Sequence, residues 1–289
     1  TLTLPTAVPY LGMGSSYFAP LTLSFCGKKM FPQLASEYYY YLSSVQKPLG
    51  VLISQSGESS ETIWNLEKFK RVVTIVNEKN SALGQARNAE QVIEILAGPE
   101  QFYSSTKTYL NTLVTLYCGL KLDPGSALKV LSREFQNLES AGKQAASEVH
   151  HYLTRHQIRG VCMIGSGPNL ATAREGALIL SETTKWAWGG MSVAEYDHGP
   201  KETANQTIVI TLNGKGKDQS RIEALKQTLA AKSDALMVEL VETELPEELT
   251  PLTLFTQVCF LMNYLADALN VNGSFTIGDK ITRVPDSAK

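Results

Sequence analysis

The chain has 289 residues, of which 43% are hydrophobic and 19% are charged, and its formal net charge is −2. This length suffices for two domains of ordinary size, and the near-zero charge excludes a nucleic-acid binder that relies on a basic face. The cysteines at positions 26, 118, 162 and 259 form no C-x-x-C pair, which argues against a zinc site or a disulfide framework and favours a reducing cytoplasm.

Short apolar runs alternate with amphipathic stretches in the first part of the chain. The predicted strands are Val8–Met13, Gly50–Ser54, Arg71–Val76 and Gln91–Leu96, and the predicted helices are Ser16–Lys29, Glu58–Phe69 and Ser105–Leu120. Near-continuous apolar strands that alternate with helices are typical of a parallel sheet covered on both faces. The sequence begins almost directly on a strand, which leaves open whether an upstream segment is missing.

The same pattern then starts a second time. The DPG sequence at 123–125 is a break, and a long polar helix is predicted from Ser126 to about Arg155. After it, GVCMIGSGPNLATAREGALILSE matches VPYLGMGSSYFAPLTLSFCGKK, and TIVITLNGKGKDQSRIEALKQTL matches LGVLISQSGESSETIWNLEKF. We therefore predict two tandem, doubly wound α/β domains of three-layer αβα type, similar to flavodoxin or Rossmann folds. Their predicted limits are 1–122 and 156–270, with a linker helix at 123–155 and a C-terminal tail at 271–289.

Serine-rich turns follow the predicted strands of the first half. GMGSS and SQSGESS each join a strand to a helix, and SSTK opens a third helix at Ser104. Such turns direct several backbone N–H groups at one point, and the hydroxyls add further donors where a helix dipole favours an anion. The alternative is that these turns only cap helices. The first interpretation predicts one phosphate site, in the first half.

The glycine turns of the second half are weaker signals. A GSG sequence is compatible with any tight turn, and TLNGKGKD lacks the serines of its counterpart. The GKGK sequence at 214–217 is not a Walker A loop, because the upstream glycine and the following Ser or Thr are absent. No dinucleotide fingerprint is complete either, so we predict no nucleotide cofactor. We also predict no metal, because no ligand cluster is visible.

Six blocks of this sequence resemble, in order, those of the double sugar-isomerase (SIS) domain family: LGMGSSYFA, ASEYYY, ISQSGESSET, GPEQFYSSTK, EGALILSE and EYDHGPKE. The resemblance covers nearly the whole chain and extends to the isomerase half of glucosamine-6-phosphate synthase and to stand-alone phosphosugar isomerases, deaminases and deglycases. It implies two SIS domains and an enzyme for a hexose- or amino-hexose-6-phosphate. The sequence shows no glutaminase domain and no N-terminal nucleophilic cysteine, so we expect no glutamine-driven amination.

The resemblance also implies which residues hold the phosphate group. Eight positions match the phosphate ligands of the family: Gly14, Ser15, Ser16, Ser54, Gln55, Ser56, Ser59 and Ser105. Thr62 and Thr106 lie near them in the sequence. The serines that follow the second strand are therefore interpreted as neutral donors to a phosphate dianion.

A second set of residues matches the family's catalytic groups. The chemistry implied is proton transfer between C1 and C2 of an open-chain sugar phosphate, for which Glu182 matches the proton-shuttling glutamate. Glu175 lies two helical turns earlier on the same face and matches a second carboxylate. His198 matches the ring-opening histidine, which the synthase takes from the neighbouring subunit, so the resemblance implies a homodimer that shares this residue. The alternative is that both glutamates are ordinary exposed helix residues.

Two positions leave the assignment open. Lys280 falls where the family has its Schiff-base lysine, in a tail expected to reach the active site, and Lys289 in DSAK is the alternative. Ile179 stands where the synthase has a lysine, which puts chemistry of the synthase type in doubt. Lys185 and Lys201 are nearby cations without an assigned role.

The leading prediction is thus a phosphosugar isomerase or deaminase located in the cytoplasm. One alternative is a deglycase of the fructosamine-6-phosphate type, and another is a sugar-phosphate sensor without catalytic activity. The expected partners are a small sugar phosphate and a second copy of the chain, with neither nucleic acid nor a membrane. No apolar run approaches the length of a membrane span.

Overall fold

The computed structural model of the protein describes residues 2–101 and 104–271, together with Phe275 and Ile277. These residues form two compact units, and the chain passes from the first to the second between Asp123 and Pro124. Lys280 and Lys289 lie outside the described residues, as does most of the predicted tail. Each unit is built around its own parallel sheet.

The first unit contains a five-stranded sheet of order β2-β1-β3-β4-β5, in which every neighbouring pair is parallel. Its strands are β1 (Pro9–Gly12), β2 (Phe31–Leu34), β3 (Lys47–Ile53), β4 (Phe69–Val76) and β5 (Ala89–Glu94). The helices between and after them are α1 (Ser15–Ser24), α2 (Ala35–Glu37), α3 (Ser60–Trp64) and α4 (Lys107–Gly119). A π-helical turn follows α2 at Tyr38–Leu42, and a 3-10 turn follows α3 at Asn65–Lys68.

Apolar residues of the central strands form the core of this unit. Leu52 on β3 and Val72 on β4 are fully buried, and they join a cluster that includes Leu11 and Phe69. Both faces of the central strands must be apolar because helices lie on both sides of the sheet. Helices α1 and α4 pack together, and α2 packs against α3.

The second unit repeats the order of the first four strands. Its sheet has the order β7-β6-β8-β9, again all parallel, with β6 (Gly160–Gly165), β7 (Trp188–Met191), β8 (Thr207–Asn213) and β9 (Leu236–Val241). The helices are α5 (Gly125–Arg155), α6 (Pro168–Thr184), α7 (Val193–Asp197), α8 (Gln219–Lys232) and α9 (Thr250–Ala268). Short 3-10 turns occupy Pro200–Thr203 and Glu247–Leu249.

Two long helices pack directly against each other within this unit. Helix α5 was predicted as a linker, but the structure places it in the second unit, where it lies along α9. The expectation that no apolar run approaches the length of a membrane span is corrected. Among the described residues, one segment, Glu247–Ala268, has that length and apolar composition, and 78% of its most apolar window is buried inside the unit. Such burial is typical of a core helix.

The predicted parallel-sheet α/β architecture is confirmed, with several local corrections. Strands β2 and β7 were not predicted, because each has only four residues and lies at the edge of its sheet. The predicted helix Glu58–Phe69 is wrong in length, since α3 ends at Trp64 and Phe69 already belongs to β4. Helix α1 ends at Ser24, five residues before the predicted limit of Lys29.

Candidate functional site

The turn between β1 and α1 depends on two glycines. A Cβ atom on Gly12 would lie 2.4 Å from the carbonyl oxygen of Ser16, and Gly14 adopts φ 51°, a region that favours glycine. This tight geometry places Ser15 and Ser16 in the first turn of α1. Ser16 is buried, whereas Ser15 is half-buried. The predicted ligands of this turn therefore sit at a helix N-terminus.

The SQSGESS turn places its hydroxyl groups side by side after β3. The Ser54 Oγ atom lies 3.5 Å from the Ser56 Oγ atom and accepts the Ser59 N–H at 3.4 Å. Ser56 Oγ also accepts the N–H of Glu58 at 3.2 Å. Gly57 has φ 70°, and a Cβ atom there would overlap the side chain of Ser81. The turn therefore requires glycine at position 57, and serine hydroxyls line it.

Gln55 joins the three serine-containing turns by hydrogen bonds. Its backbone N–H donates to Ser16 Oγ at 3.3 Å, and its Oε1 atom accepts a hydrogen bond from the hydroxyl of Ser105. Its Nε2 group donates to Thr112 Oγ1 at 3.3 Å. Gln55, which follows β3, thus contacts Ser16 of α1 through its backbone and Ser105, which precedes α4, through its side chain. These bonds bring five predicted ligands, namely Ser16, Ser54, Gln55, Ser56 and Ser105, together at one edge of the first sheet, with Ser59 beside them.

Two threonines of α4 were missed by the sequence analysis. Thr108 shares a hydrogen bond of 2.6 Å with Ser105 and reaches Gln55 Oε1 at 3.4 Å, while Thr112 is fully buried beside Gln55. Both lie four residues apart on one face of a helix that is otherwise largely apolar. Polar residues at helical spacing directly after the SSTK sequence were the available signal.

The N-terminus of α4 is satisfied by a side chain of the protein itself. Glu100 accepts the backbone N–H groups of Thr106 and Thr108, each at 3.1 Å, and also the Thr106 hydroxyl. A carboxylate at a helix N-terminus is favourable for the dipole. The expectation that this helix end receives a ligand anion is therefore corrected, because Glu100 already uses its donors. Thr106, named as a neighbour of the site, is committed to Glu100.

Thr62 also lies near the turn in sequence but differs in environment. Its side chain is fully buried in α3, and its hydroxyl has no hydrogen-bond partner among the described residues. Among the described residues, no hydrogen bond links the Thr62 hydroxyl to the serine turn.

The predicted carboxylates of the second unit lie on α6. Glu175 is fully buried, whereas Glu182, two turns later, is half-buried near the end of the helix. Ile179 between them is also fully buried. Position 179 is thus part of the apolar packing of α6, where a lysine side chain would lose its hydration.

His198 is exposed at the C-terminal end of α7. Its neighbour Asp197 forms ion pairs with Lys201 at 2.7 Å and with Arg221 at 3.7 Å. The hydrogen bond from Lys201 lowers the pKa of the Asp197 carboxyl group, and the charges of Arg221 and His198 lower it further. The start of α7 is fixed by a capping box between Ser192 and Glu195. The segment that carries His198 is therefore held at both ends.

The counterpart of the serine turns in the second unit has the same backbone but different side chains. Gly167 adopts φ 55° and ψ −130°, close to the φ 51° and ψ −128° of Gly14. Asn169, at the position of Ser16, donates to Thr250 Oγ1 at 2.8 Å. The carboxylate of Glu247 lies against Gly167 and Gly216, within 3.3 Å of a Cβ atom built on Gly167. Structural contacts thus fill this turn.

The part of the chain that the structure describes contains no cluster of metal ligands, and one of its thiols is kept protonated by burial. Groups of three or more His, Cys, Asp or Glu side chains able to hold a metal ion do not occur there. All four cysteines are free thiols, and burial raises the pKa of Cys162 to about 12, which keeps that thiol protonated at neutral pH.

Comparison with known proteins gives relatives among the isomerizing aminotransferases of fructose-6-phosphate. The chain is 31% identical over 201 residues to the glutamine–fructose-6-phosphate aminotransferase (isomerizing) of Sulfolobus acidocaldarius, an alignment that covers 66% of this chain and 33% of that protein. The chain thus spans about a third of the length of the curated relatives that it matches. No family model matches the sequence.

Solved structures show the same fold at lower identity. The C-terminal domain of the glucosamine-fructose-6-phosphate aminotransferase of Francisella tularensis superposes with a TM-score of 0.75 at 19% identity, covering 93% of this chain and 86% of that one. The tagatose-6-phosphate ketose/aldose isomerase of Escherichia coli gives a TM-score of 0.71 at 18% identity, with coverages of 94% and 86%. These similarities establish the parallel-sheet α/β fold.

Proposed function

We propose that this chain consists of two tandem SIS domains and acts on a hexose- or amino-hexose-6-phosphate by transfer of a proton between C1 and C2. The observation that carries the proposal is the hydrogen-bonded set around Gln55, which gathers serine hydroxyls from three turns at one edge of a parallel sheet. Ligands of open α/β sheets bind at the carboxyl ends of the strands, where these turns lie.

The phosphate group would be held by neutral donors. The hydroxyls of Ser16, Ser54, Ser56, Ser59 and Ser105, with backbone N–H groups around Gly14, provide donors without a fixed positive charge. Buried Ser16 and Ser54 already form hydrogen bonds within the protein, so their positions are set before a ligand arrives. Such preorganisation reduces the ordering cost of binding. The site would suit a dianion that must also be released.

For the chemical step we assign the proton-shuttling role to Glu182. Its carboxylate would remove the proton from C2 of an aldose, or from C1 of a ketose, and return it to the other carbon through an enediol. The half-buried position of Glu182 gives a substrate access that the fully buried Glu175 lacks. Glu175 is therefore proposed as a supporting carboxylate.

His198 is proposed as the group that opens the sugar ring, by moving a proton between the ring oxygen and the C1 hydroxyl. It is exposed on the second unit, and we propose that it serves the site of a second copy of the chain in a homodimer. Lys280, or Lys289 in its place, is proposed as the amine that reacts with the sugar carbonyl, and a cytoplasmic location is proposed for the enzyme.

The names of the similar proteins support this chemistry. They include an isomerizing aminotransferase of fructose-6-phosphate and a ketose/aldose isomerase of tagatose-6-phosphate. Both names describe a phosphorylated hexose whose carbonyl group is involved.

The test incubates the purified chain with glucosamine-6-phosphate and, separately, with fructose-6-phosphate. Ammonia and fructose-6-phosphate are assayed for the parent, for Glu182→Gln and for the matched surface variant Glu134→Gln. Release of both products by the parent and by Glu134→Gln, with loss in Glu182→Gln, supports an amino-sugar deaminase. Isomerisation of fructose-6-phosphate without ammonia supports an aldose–ketose isomerase. Binding without any turnover, unchanged in Glu182→Gln, contradicts the catalytic proposal and leaves a sensor.

A further inference from the structure

The first unit contains a cleft that the proposed function does not use. Its volume is about 760 Å³, within the range of roughly 300–1,000 Å³ that is usual for small-molecule sites. It lies between the end of α3 and the segment that joins β4 to β5. Ten residues line it: Glu58, Ile63, Leu66, Asn80, Ser81, Ala82, Gln85, Ala86, Arg87 and Asn88. Only Glu58 among them belongs to the serine turn.

The cleft exists because the helix that follows β3 is short. Helix α3 has five residues, whereas α8, which follows the corresponding strand of the second unit, has fourteen. Helix α8 buries Ile222, Leu225 and Leu229 against its sheet. In the first unit the chain leaves the α-helical conformation after Trp64. The face that a longer helix would cover is therefore left open.

The floor of the cleft is apolar. Ile63 belongs to the hydrophobic core, and Leu66 and Ala82 pack on the surface of that core while remaining partly exposed. Ala86 lies beside them in the wall. An apolar ligand that covered these side chains would gain about 25 cal/mol for each Å² removed from water.

The polar groups of the rim are of two kinds. Glu58 is committed to the protein, since its Oε1 atom accepts the backbone N–H of Ala82 at 2.9 Å, and Asn88 donates to the carbonyl groups of Leu66 and Phe69. Arg87, by contrast, forms neither an ion pair nor a hydrogen bond with any of the described residues. Its guanidinium group carries five N–H donors in a geometry that matches a carboxylate, sulfonate or phosphate.

We propose that this cleft is a second ligand site, which binds a small organic anion with its apolar body on Ile63, Leu66 and Ala82 and its anionic group on Arg87. The backbone N–H of Leu83 donates to Gly57 of the serine turn, so the wall of the cleft is joined to that turn. The site does not depend on the proposed function, because none of its tests requires turnover or sugar-phosphate binding.

The probe is anilinonaphthalene sulfonate, an aromatic anion that fluoresces when it leaves water, titrated into the folded full chain. We expect saturable binding to one site per chain. Arg87→Gln should weaken it about tenfold, the effect of losing a charge-assisted hydrogen bond. Ala86→Trp, which fills the cleft with an indole ring, should abolish it. N-phenylnaphthylamine, a neutral analogue, should bind to the parent about tenfold more weakly than the sulfonate does. Its affinity should be the same for the parent and for Arg87→Gln, because it has no anionic group for Arg87 to bind.

The matched control is Arg71→Gln, which removes an exposed arginine of the same unit that is paired with Glu90. It should leave the affinity of the probe unchanged. Equal binding of the probe to the parent, Arg87→Gln and Ala86→Trp would overturn the proposal, and so would an absence of saturable binding to the parent. Circular dichroism and thermal unfolding verify that each variant is folded. If fructose-6-phosphate does not bind while the probe does, the proposed function fails and this site stands.

Discussion

The two units of this protein have nearly the same turn after their first strand but use it differently. Gly14 and Gly167 have backbone angles that agree within a few degrees. In the first unit the turn continues into Ser16, which accepts a hydrogen bond from Gln55. In the second it continues into Asn169, which bonds to Thr250 of α9 within the same unit. A glycine turn therefore supplies only a backbone, and the side chains that follow differ: Ser16 faces the other serine turns, where we propose binding, whereas Asn169 packs within its unit.

The largest effect is expected from Gln55→Glu, because Gln55 joins all three serine turns of the first unit. The added carboxylate would face a phosphate dianion at short range, which costs several kcal/mol. Binding of fructose-6-phosphate should weaken by at least about 100-fold in isothermal titration. Gln136→Glu adds the same charge on the exposed face of α5 and should leave binding unchanged. An unaltered affinity in Gln55→Glu would show that the first unit does not hold the phosphate group.

Effects of intermediate size are expected when the residue after each glycine turn is replaced by alanine. Asn169→Ala removes a buried hydrogen bond to Thr250 and should lower the free energy of unfolding by about 1–3 kcal/mol, without a change in sugar-phosphate affinity. Ser16→Ala should do the reverse, with about a tenfold loss of affinity and a small loss of stability. Chemical denaturation and isothermal titration on both variants measure the two quantities. Equal effects of the two variants on affinity would remove the distinction between the turns.

The smallest expected effect is a change in the melting temperature at low pH. The pKa of Asp197 is lowered in the folded state by Lys201, Arg221 and His198. A lowered pKa contributes stability above the unfolded value of about 3.9, and this contribution is lost as the pH falls through the folded pKa. The melting temperature of the parent should therefore fall more between pH 5 and pH 3 than that of Asp197→Asn. The affinity of the serine turns for a sugar phosphate should not depend on the charge of Asp197. Equal falls in melting temperature for the parent and Asp197→Asn between pH 5 and pH 3 would contradict the prediction.

The sequence was sufficient for those parts of the fold that are set by long buried strands. Strands β3, β4, β6 and β8 are strongly apolar and were predicted from that pattern, as was the start of α4 after SSTK. The edge strands β2 and β7 were not, because an edge strand is half-exposed and its four residues give no clear alternation. The shortening of α3 was also missed, since the sequence after Trp64 still has apolar residues at helical spacing.

The candidate site could be predicted only in part, for a physical reason. The serines were recognised by their place after strands, but the partners that orient them come from distant positions in the sequence. Thr112 bonds to Gln55 across 57 residues. Glu100 caps α4 from an irregular segment, and Glu247 fills the turn of the second unit from beyond β9. Such long-range contacts follow from the strand order, which a local pattern does not contain.

The most direct test of the account is hydrogen–deuterium exchange with and without fructose-6-phosphate. If the first unit holds the phosphate group, peptides that cover 12–18 and 54–60 should gain protection together, because their backbone N–H groups surround one ligand. The peptide that covers 104–112 should gain less, because Glu100 already accepts the N–H groups of Thr106 and Thr108. The peptide that covers 165–170 in the second unit should exchange at the same rate in both samples. Protection of 165–170 without protection of 54–60 would contradict the assignment of the phosphate site to the serine turns.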